Sequence, residues 1–338
     1  MDPVSQAALG AACAQTLRRP GARAVSLGWL AMFGLVAGMA PDLDVLLTSD
    51  EDPLLFLVYH RQFTHSLVFI PVGALLVTAA LYWLPTQPLR FRDAYLASFV
   101  GFGSHGLLDA CTTYGTQLLW PFSDARITWN TIAVVDPLFT LPLLAMVAAA
   151  VWYRRRGLVV LGLCWAVAYL GLGYVQRLRV EDATRTLIAE RQHDGERLFV
   201  KPAFGNLLLW KSIYRSDDVY VVDGHRAGVR VTHCGGERIA TLNVAQDLPW
   251  LDVQDQQAQD LERFRWFSMD YLAMEETEPA QRVIDIRYSM LPTAIDPLWG
   301  ITLQRDRGPE AHVEWWSERR LTDAQRDAFL ALLHGSSC

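Results

Sequence analysis

Apolar residues crowd the first half of the chain and alternate with polar ones in the second. Five long apolar runs stand out in the first half, at 25–40, 66–84, 94–108, 136–153 and 158–175. Each is 15–19 residues long, close to the lower limit of about 17 for a helix that crosses a bilayer. A sixth stretch, 3–17, is rich in Ala and Gly. Its small residues suit close helix packing in lipid, so it reads as the first arm of a helical hairpin.

Beyond Val175 the period changes. Positions 176–196 read as an amphipathic connecting helix. Short alternations at 207–214, 219–222, 229–233, 283–289, 301–304 and 313–316 read as half-buried antiparallel strands. Positions 255–275 read as a helix. Another helix, 322–333, opens with a Thr-x-x-Gln capping box at Thr322 and Gln325. The pattern predicts a membrane all-α bundle of about six spans over 1–175, then a connecting helix over 176–196. A soluble α+β domain over 197–338 completes the chain.

Charge sharpens this division. Up to Val175 there are 10 Arg, no Lys and 10 acidic residues; beyond it there are 20 basic and 26 acidic residues. Arg18, Arg19, Arg23, Arg90, Arg92, Arg154, Arg155 and Arg156 fall in alternate loops between the apolar runs, and only Arg61 and Arg126 fall in the others. By the positive-inside rule the arginine-rich loops are cytoplasmic. Both termini, the 41–65 loop and the 109–135 loop are then expected on the extracytoplasmic side of a bacterial-type inner membrane. The net charge of −6, with no basic cluster beyond Arg154–Arg156, excludes nucleic acid as a partner. Cys13, Cys111, Cys164, Cys234 and Cys338 show no zinc-finger spacing, and an odd number leaves at least one thiol unpaired.

The chemistry gathers at the outward loops. Asp42 and Asp44 follow the second apolar run, and His60, Arg61, Thr64 and His65 precede the third. His105 and Asp109 close the fourth, Asp136 opens the fifth, and Asp2 and Gln6 open the chain. His105 and Asp109 are spaced i,i+4 and share a helix face. His60 and His65 are five apart, which puts one on a loop and the other at a helix start. Imidazole and carboxylate groups from several helix ends suit Zn²⁺ first, then Mn²⁺ or Fe. Asp42, Asp44, His60, His65, His105, Asp109 and Asp136 outnumber the ligands of one tetrahedral ion and would suit two, about 3.5–4 Å apart. Asp-Pro at Asp2, Asp52 and Asp136 also fits an ordinary helix cap. Arg61 and Arg126 share this face and are candidates for binding phosphate. The C-terminal histidines (His193, His225, His233, His312 and His334) are scattered and carry no motif.

Asp42-Leu43-Asp44, His60-Arg61-x-x-Thr64-His65-Ser66, His105-x-x-x-Asp109 and Asp136 resemble the YdjM family over residues 1–175. That family is regarded as inner-membrane metal-dependent hydrolases, distantly similar to zinc-dependent phospholipase C. The resemblance implies that Asp42, Asp44, His60, His65, His105 and Asp109 are metal ligands or general bases. Family members carry Thr-His near the start where this chain has Ser5-Gln6, and an amide is a poor ligand. The resulting expectation is a hydrolase of a phosphoester in a membrane lipid or lipid-linked substrate, using one or two divalent ions. Asp42 or Asp44 would serve as base when not bound to metal. The alternatives are a metal-ion or proton-coupled transporter and a membrane sensor or scaffold. Against a transporter, the cluster lies at one face rather than at the midplane.

Overall fold

The computed structural model describes residues 1–18, 26–86, 89–275, 281–336 and 338. Arg19 and Arg23, two of the loop arginines, lie outside these residues. Two compact units are present. Unit 1 comprises Met1–Leu46, Tyr59–Val175 and Phe204–Asn206; unit 2 comprises Leu47–Val58, Gln176–Ala203 and Leu207–Cys338.

The first seven helices are α1 (Pro3–Gln15), α2 (Leu27–Met39), α3 (Leu55–Tyr59), α4 (Ile70–Leu81), α5 (Phe91–Ala110), α6 (Pro137–Trp152) and α7 (Arg156–Arg191). In unit 1, α1, α2 and α5 pack backbone to backbone. A Cβ added at Gly10 would lie 2.3 Å from the Gly34 carbonyl oxygen, and one at Gly101 would lie 2.5 Å from the same atom. A Cβ at Gly38 would lie 2.6 Å from the Gln6 carbonyl. Only glycine permits these approaches, the small-residue packing that the composition of α1 suggests. Aliphatic and aromatic side chains then fill the rest, with Leu30, Phe33, Ala94 and Ala97 forming one buried cluster.

The expectation of about six spans is corrected here. Among the described residues, two helical stretches are long and apolar enough to cross a membrane: Leu27–Leu46, which is α2 plus the 3₁₀ turn Ala40–Leu46, and Arg156–Arg191. A third is reached only if Leu55–His65 and Ile70–Leu81, bent by 85°, count as one. The reason is length and composition. α1, α4 and α6 have 13, 12 and 16 residues; at about 1.5 Å per residue they fall short of a hydrocarbon core of about 30 Å. α5 has 20 residues but carries Arg92, Asp93, His105 and Asp109. The run 158–175 and the connecting helix, which ends at Arg191 rather than at 196, are one continuous helix of 36 residues, α7.

Unit 2 carries two antiparallel four-stranded sheets. The first has the order β1 (Glu196–Pro202), β2 (Leu209–Ser216), β3 (Val219–Ala227), β4 (Val231–Ala240). The second has the order β5 (Leu272–Glu275), β6 (Gln281–Asp285), β7 (Trp299–Leu303), β8 (Glu314–Ser317). Phe199, Ile213, Tyr220 and Val222 of the first sheet share a core with Ala273 and Ile284 of the second. Helices α8 (Val244–Asp247), α9 (Gln256–Phe267) and α10 (Asp323–His334) complete the unit. The capping box at Thr322 and Gln325 is formed in full. Cys234 and Cys338 form a disulfide, while Cys13, Cys111 and Cys164 are free.

Two strands, β1 and β5, are additions to the sequence reading, and the helix expected over 255–275 ends at Phe267. The chain has two lysines against 28 arginines. Lys201 and Lys211 stand opposite one another on β1 and β2. The Lys211 amine donates to Ser289 Oγ at 2.8 Å and to the Ala294 carbonyl at 3.0 Å; the Lys201 amine donates to the Arg287 carbonyl at 3.2 Å. Burial, then the charge of Lys201, pushes Lys211 down to about 7, and burial pushes Lys201 down to about 8.

Candidate metal centre

Four side chains from three parts of unit 1 converge. Asp42 lies on the 3₁₀ turn that ends the α2 segment, His65 ends the 3₁₀ turn Phe63–His65, and His105 and Asp109 occupy successive turns of α5. Their ligand atoms all lie within 4.8 Å of one another. His105 Nε2 is 2.8 Å from His65 Nε2. Asp42 Oδ1 is 3.4 Å from His65 Nε2 and 3.3 Å from His105 Nε2; Asp109 Oδ2 is 3.2 Å and 3.6 Å from the same two nitrogens. Atoms about 2.0 Å from a tetrahedral ion lie about 3.3 Å apart. The spacing therefore matches the edges of a zinc-sized tetrahedron.

The surroundings orient these groups. His105 Nδ1 is 2.6 Å from the Gly38 carbonyl and donates to it, which turns Nε2 inward as a bare acceptor. Gly106 allows α5 to approach the turn that carries His65: a Cβ there would lie 2.5 Å from the His65 carbonyl. Gln6 Nε2 donates to Asp109 Oδ1 at 2.8 Å, and the amino group of Met1 also contacts that oxygen. Asp109 Oδ2 is buried and accepts no hydrogen bond from any described residue, although Arg61 Nε lies 3.0 Å away. A buried carboxylate oxygen without a hydrogen bond, set among imidazole nitrogens, is the environment of a cation ligand. The donor set thus fits a divalent ion.

Asp44 has different surroundings. Its Oδ1 is 2.7 Å from His60 Nδ1; its Oδ2 accepts from the Arg61 backbone N–H at 3.0 Å and from Thr64 Oγ1 at 2.8 Å, and lies 3.3 Å from His65 Nδ1. Asp44 thereby fixes His60, the Arg61 backbone, Thr64 and His65 together. Asp42, Asp44 and His60 also approach closely enough to form a second group of three ligands. The cluster meets solvent at Asp42 (21% exposed) and His60 (16%), with Asp44, His65, His105 and Asp109 enclosed.

The remaining candidates separate from this centre. Asp136 caps α6, accepting from the backbone of Leu138 and Phe139, and takes the Tyr169 hydroxyl at 2.8 Å. It joins no group of ligands among the described residues. Asp2 caps α1 through Val4 and Ser5. Gln6 is an orienting amide beside Asp109. Three participants had no side-chain signature in the sequence reading. They are the Gly38 carbonyl, Thr112, which accepts from Arg61 Nη1 at 3.0 Å, and Tyr114, whose ring lies 4.7 Å from the Arg61 guanidinium carbon. Thr112 and Tyr114 follow His105-x-x-x-Asp109 directly, and that adjacency is the one signal that could have found them.

Fold and site together define a membrane-associated helical protein with a buried His/Asp centre, joined to a two-sheet unit. The chain belongs to the YdjM inner membrane protein family, whose model matches residues 1–180. It is 27% identical over 169 residues to the uncharacterized protein YfhP of Bacillus subtilis (strain 168), covering 50% of each chain. It is 33% identical over 142 residues to the inner membrane protein YbcI of Escherichia coli (strain K12), covering 39% of this chain and 80% of that one. The chain thus spans about half the length of YfhP. No solved structure matches.

Proposed function

We propose that the protein is a membrane-bound metal-dependent hydrolase whose substrate is a phosphoester in a membrane lipid or lipid-linked molecule. Asp42, His65, His105 and Asp109 would hold a divalent ion, zinc before manganese or iron. The observation that carries this reading is the bare Asp109 Oδ2 facing two imidazole nitrogens at tetrahedral spacing. Charge counting over side chains favours a single ion. Asp42, Asp44 and Asp109 contribute three negative charges and Arg61 one positive, which one divalent cation balances when the histidines are neutral. Both Asp44 oxygens already accept hydrogen bonds, so a second ion would have to break them.

Bound there, the ion would supply Lewis acidity toward a phosphoryl oxygen and acidify water. The chain's own residues supply the rest. Asp44 holds His60 Nδ1, and His60 is part-exposed at the opening, so its Nε2 is placed to take or give a proton. Headgroup-level chemistry fits a site beside the 3₁₀ turn that ends an apolar stretch, where Leu43, Val45 and Leu46 are exposed. The Cys234–Cys338 disulfide supports an oxidising compartment for unit 2.

The test is metal content. Protein purified in detergent should carry about one equivalent of zinc by elemental mass spectrometry. It should lose that zinc in His65→Ala and Asp109→Ala, and keep it in His225→Ala. A parent without metal, or both ligand variants with unchanged metal, would overturn the reading. The loaded parent should also release product from phospholipid in mixed micelles.

A further inference from the structure

Arg61 is poorly explained as a simple partner for Asp109. It is 4% exposed, and its Nε makes no hydrogen bond to any described residue, although Asp109 Oδ2 is 3.0 Å away. If Asp109 Oδ2 serves a cation, that oxygen's electron density is already committed, and the guanidinium beside it is left with unspent donor capacity. The chain goes to some lengths to keep it there. Arg61 adopts a left-handed backbone, φ 66°, which a residue with a Cβ rarely takes. Its N–H is held by Asp44 Oδ2 and its carbonyl by the Gln117 N–H at 3.0 Å. Its Nη1 donates to Thr112.

A second guanidinium shares its platform. The Arg126 guanidinium carbon lies 5.5 Å from the centre of the Tyr114 ring, the ring that Arg61 also covers at 4.7 Å. Arg126 Nη2 donates to the Gly115 carbonyl at 3.2 Å. The same ring meets His60 edge-on at 5.4 Å, at the opening of the metal centre. Two guanidiniums over one aromatic ring, beside a centre whose side-chain charges one divalent ion balances, are the chemistry that receives a tetrahedral oxyanion.

We infer that Arg61 and Arg126, carried on Tyr114, form the phosphate subsite of the centre, with Arg61 as its floor and Arg126 as its rim. The inference rests on the metal reading above and names which residues select the substrate class. A lipid headgroup and free phosphate share this chemistry.

The experiment measures binding of inorganic phosphate, and separately of dihexanoyl phosphatidic acid, to detergent-purified full-length protein by calorimetry, with and without added zinc. Zinc content is recorded for every variant. The zinc-loaded parent should bind inorganic phosphate. Arg61→Lys should weaken that binding by at least about tenfold, because an ammonium cannot make the paired donor geometry. Arg126→Gln should weaken it severalfold at unchanged zinc content. Phosphatidic acid binding more tightly than phosphate, with the same dependence on both arginines, supports the subsite and identifies a headgroup as its source. Equal affinities support the subsite and identify free phosphate. A zinc-loaded parent that binds neither anion, or variants that bind both as the parent does, overturn the inference and leave the metal reading standing. A parent that takes up no zinc yet binds phosphate through Arg61 overturns the metal reading and keeps the subsite.

Discussion

A histidine–aspartate cluster in each unit can be set side by side, and the two differ in how their carboxylates are satisfied. In unit 2, Asp52, Asp260 and His312 come together, and Arg263 closes the circuit. Arg263 donates to both Asp52 oxygens at 2.9 and 2.8 Å and to Asp260 Oδ1 at 3.1 Å. The other Asp260 oxygen takes His312 Nδ1 at 2.8 Å and the Val313 N–H at 3.2 Å. Each carboxylate oxygen there has a donor, and the group is an ion-pair node. In unit 1, Asp42 and Asp109 face imidazole nitrogens, and Asp109 Oδ2, with Arg61 Nε 3.0 Å away, accepts no hydrogen bond from any described residue. In unit 2 every acid oxygen of the cluster has its hydrogen-bond donor, and the cluster holds structure together. In unit 1 one buried oxygen has the Arg61 guanidinium beside it but no hydrogen bond from any described residue, and that donor set fits a cation.

The contrast can be broken most sharply at the ligands. His65→Ala should lower zinc affinity by more than about a hundredfold, since losing even a supporting group outside the ligand set costs about 10–100-fold. His312→Ala should leave zinc content unchanged, and elemental analysis of both variants checks the pair. Zinc lost equally from both would erase the distinction between the clusters.

A smaller effect is expected one step back. Gly38→Ala drives a Cβ to within 2.6 Å of the Gln6 carbonyl and shifts the carbonyl that orients His105. Zinc affinity should fall by about 10–100-fold, read by chelator competition, while helicity is retained. On the other side of the comparison, Asp260→Ala leaves Arg263 and His312 without a shared acceptor. Unit 2 should lose about 2–3 kcal/mol of stability, measured by denaturant titration, with zinc content intact.

Unit 2 should also show a pH dependence of its stability. Lys201 and Lys211 sit below their ordinary value of 10.5 in the fold, at about 8 and about 7. The unfolded chain then binds more protons than the folded one between about pH 7 and 10.5. Stability should rise with pH across that window, and the burial cost is fully present below pH 7. Lys211→Met should flatten the rise, as monitored by thermal unfolding of unit 2 at pH 7, 8 and 9.

How far the sequence alone reached follows from what side chains can announce. The i,i+4 pair His105 and Asp109, and the acids and imidazoles at the ends of apolar runs, were legible because ligand chemistry resides in residue type. The Gly38 carbonyl was not, because every residue has one. Membrane spans were overcounted because apolarity was legible while helix ends were not: α1 stops at Gln15 and α4 at Leu81. Strand β5 was absorbed into a helix because the break after Phe267 is made by Met269 and Asp270, both at positive φ without a glycine to signal it. Arg61 hides its turn in the same way. The capping box at Thr322 was read correctly because that motif is a pairing of side chains and survives any tertiary context.

The cross-strand lysines have a practical consequence. The chain's two ε-amines are tied up between neighbouring strands, so acylating reagents should find no lysine to modify while unit 2 is folded. A protease that cuts after lysine should likewise spare the native protein, and cleave only when β1 and β2 part. Amine labelling or lysine-specific digestion therefore becomes a clock for the opening of this one hairpin. Its signal is undiluted by the 28 arginines that carry the rest of the positive charge.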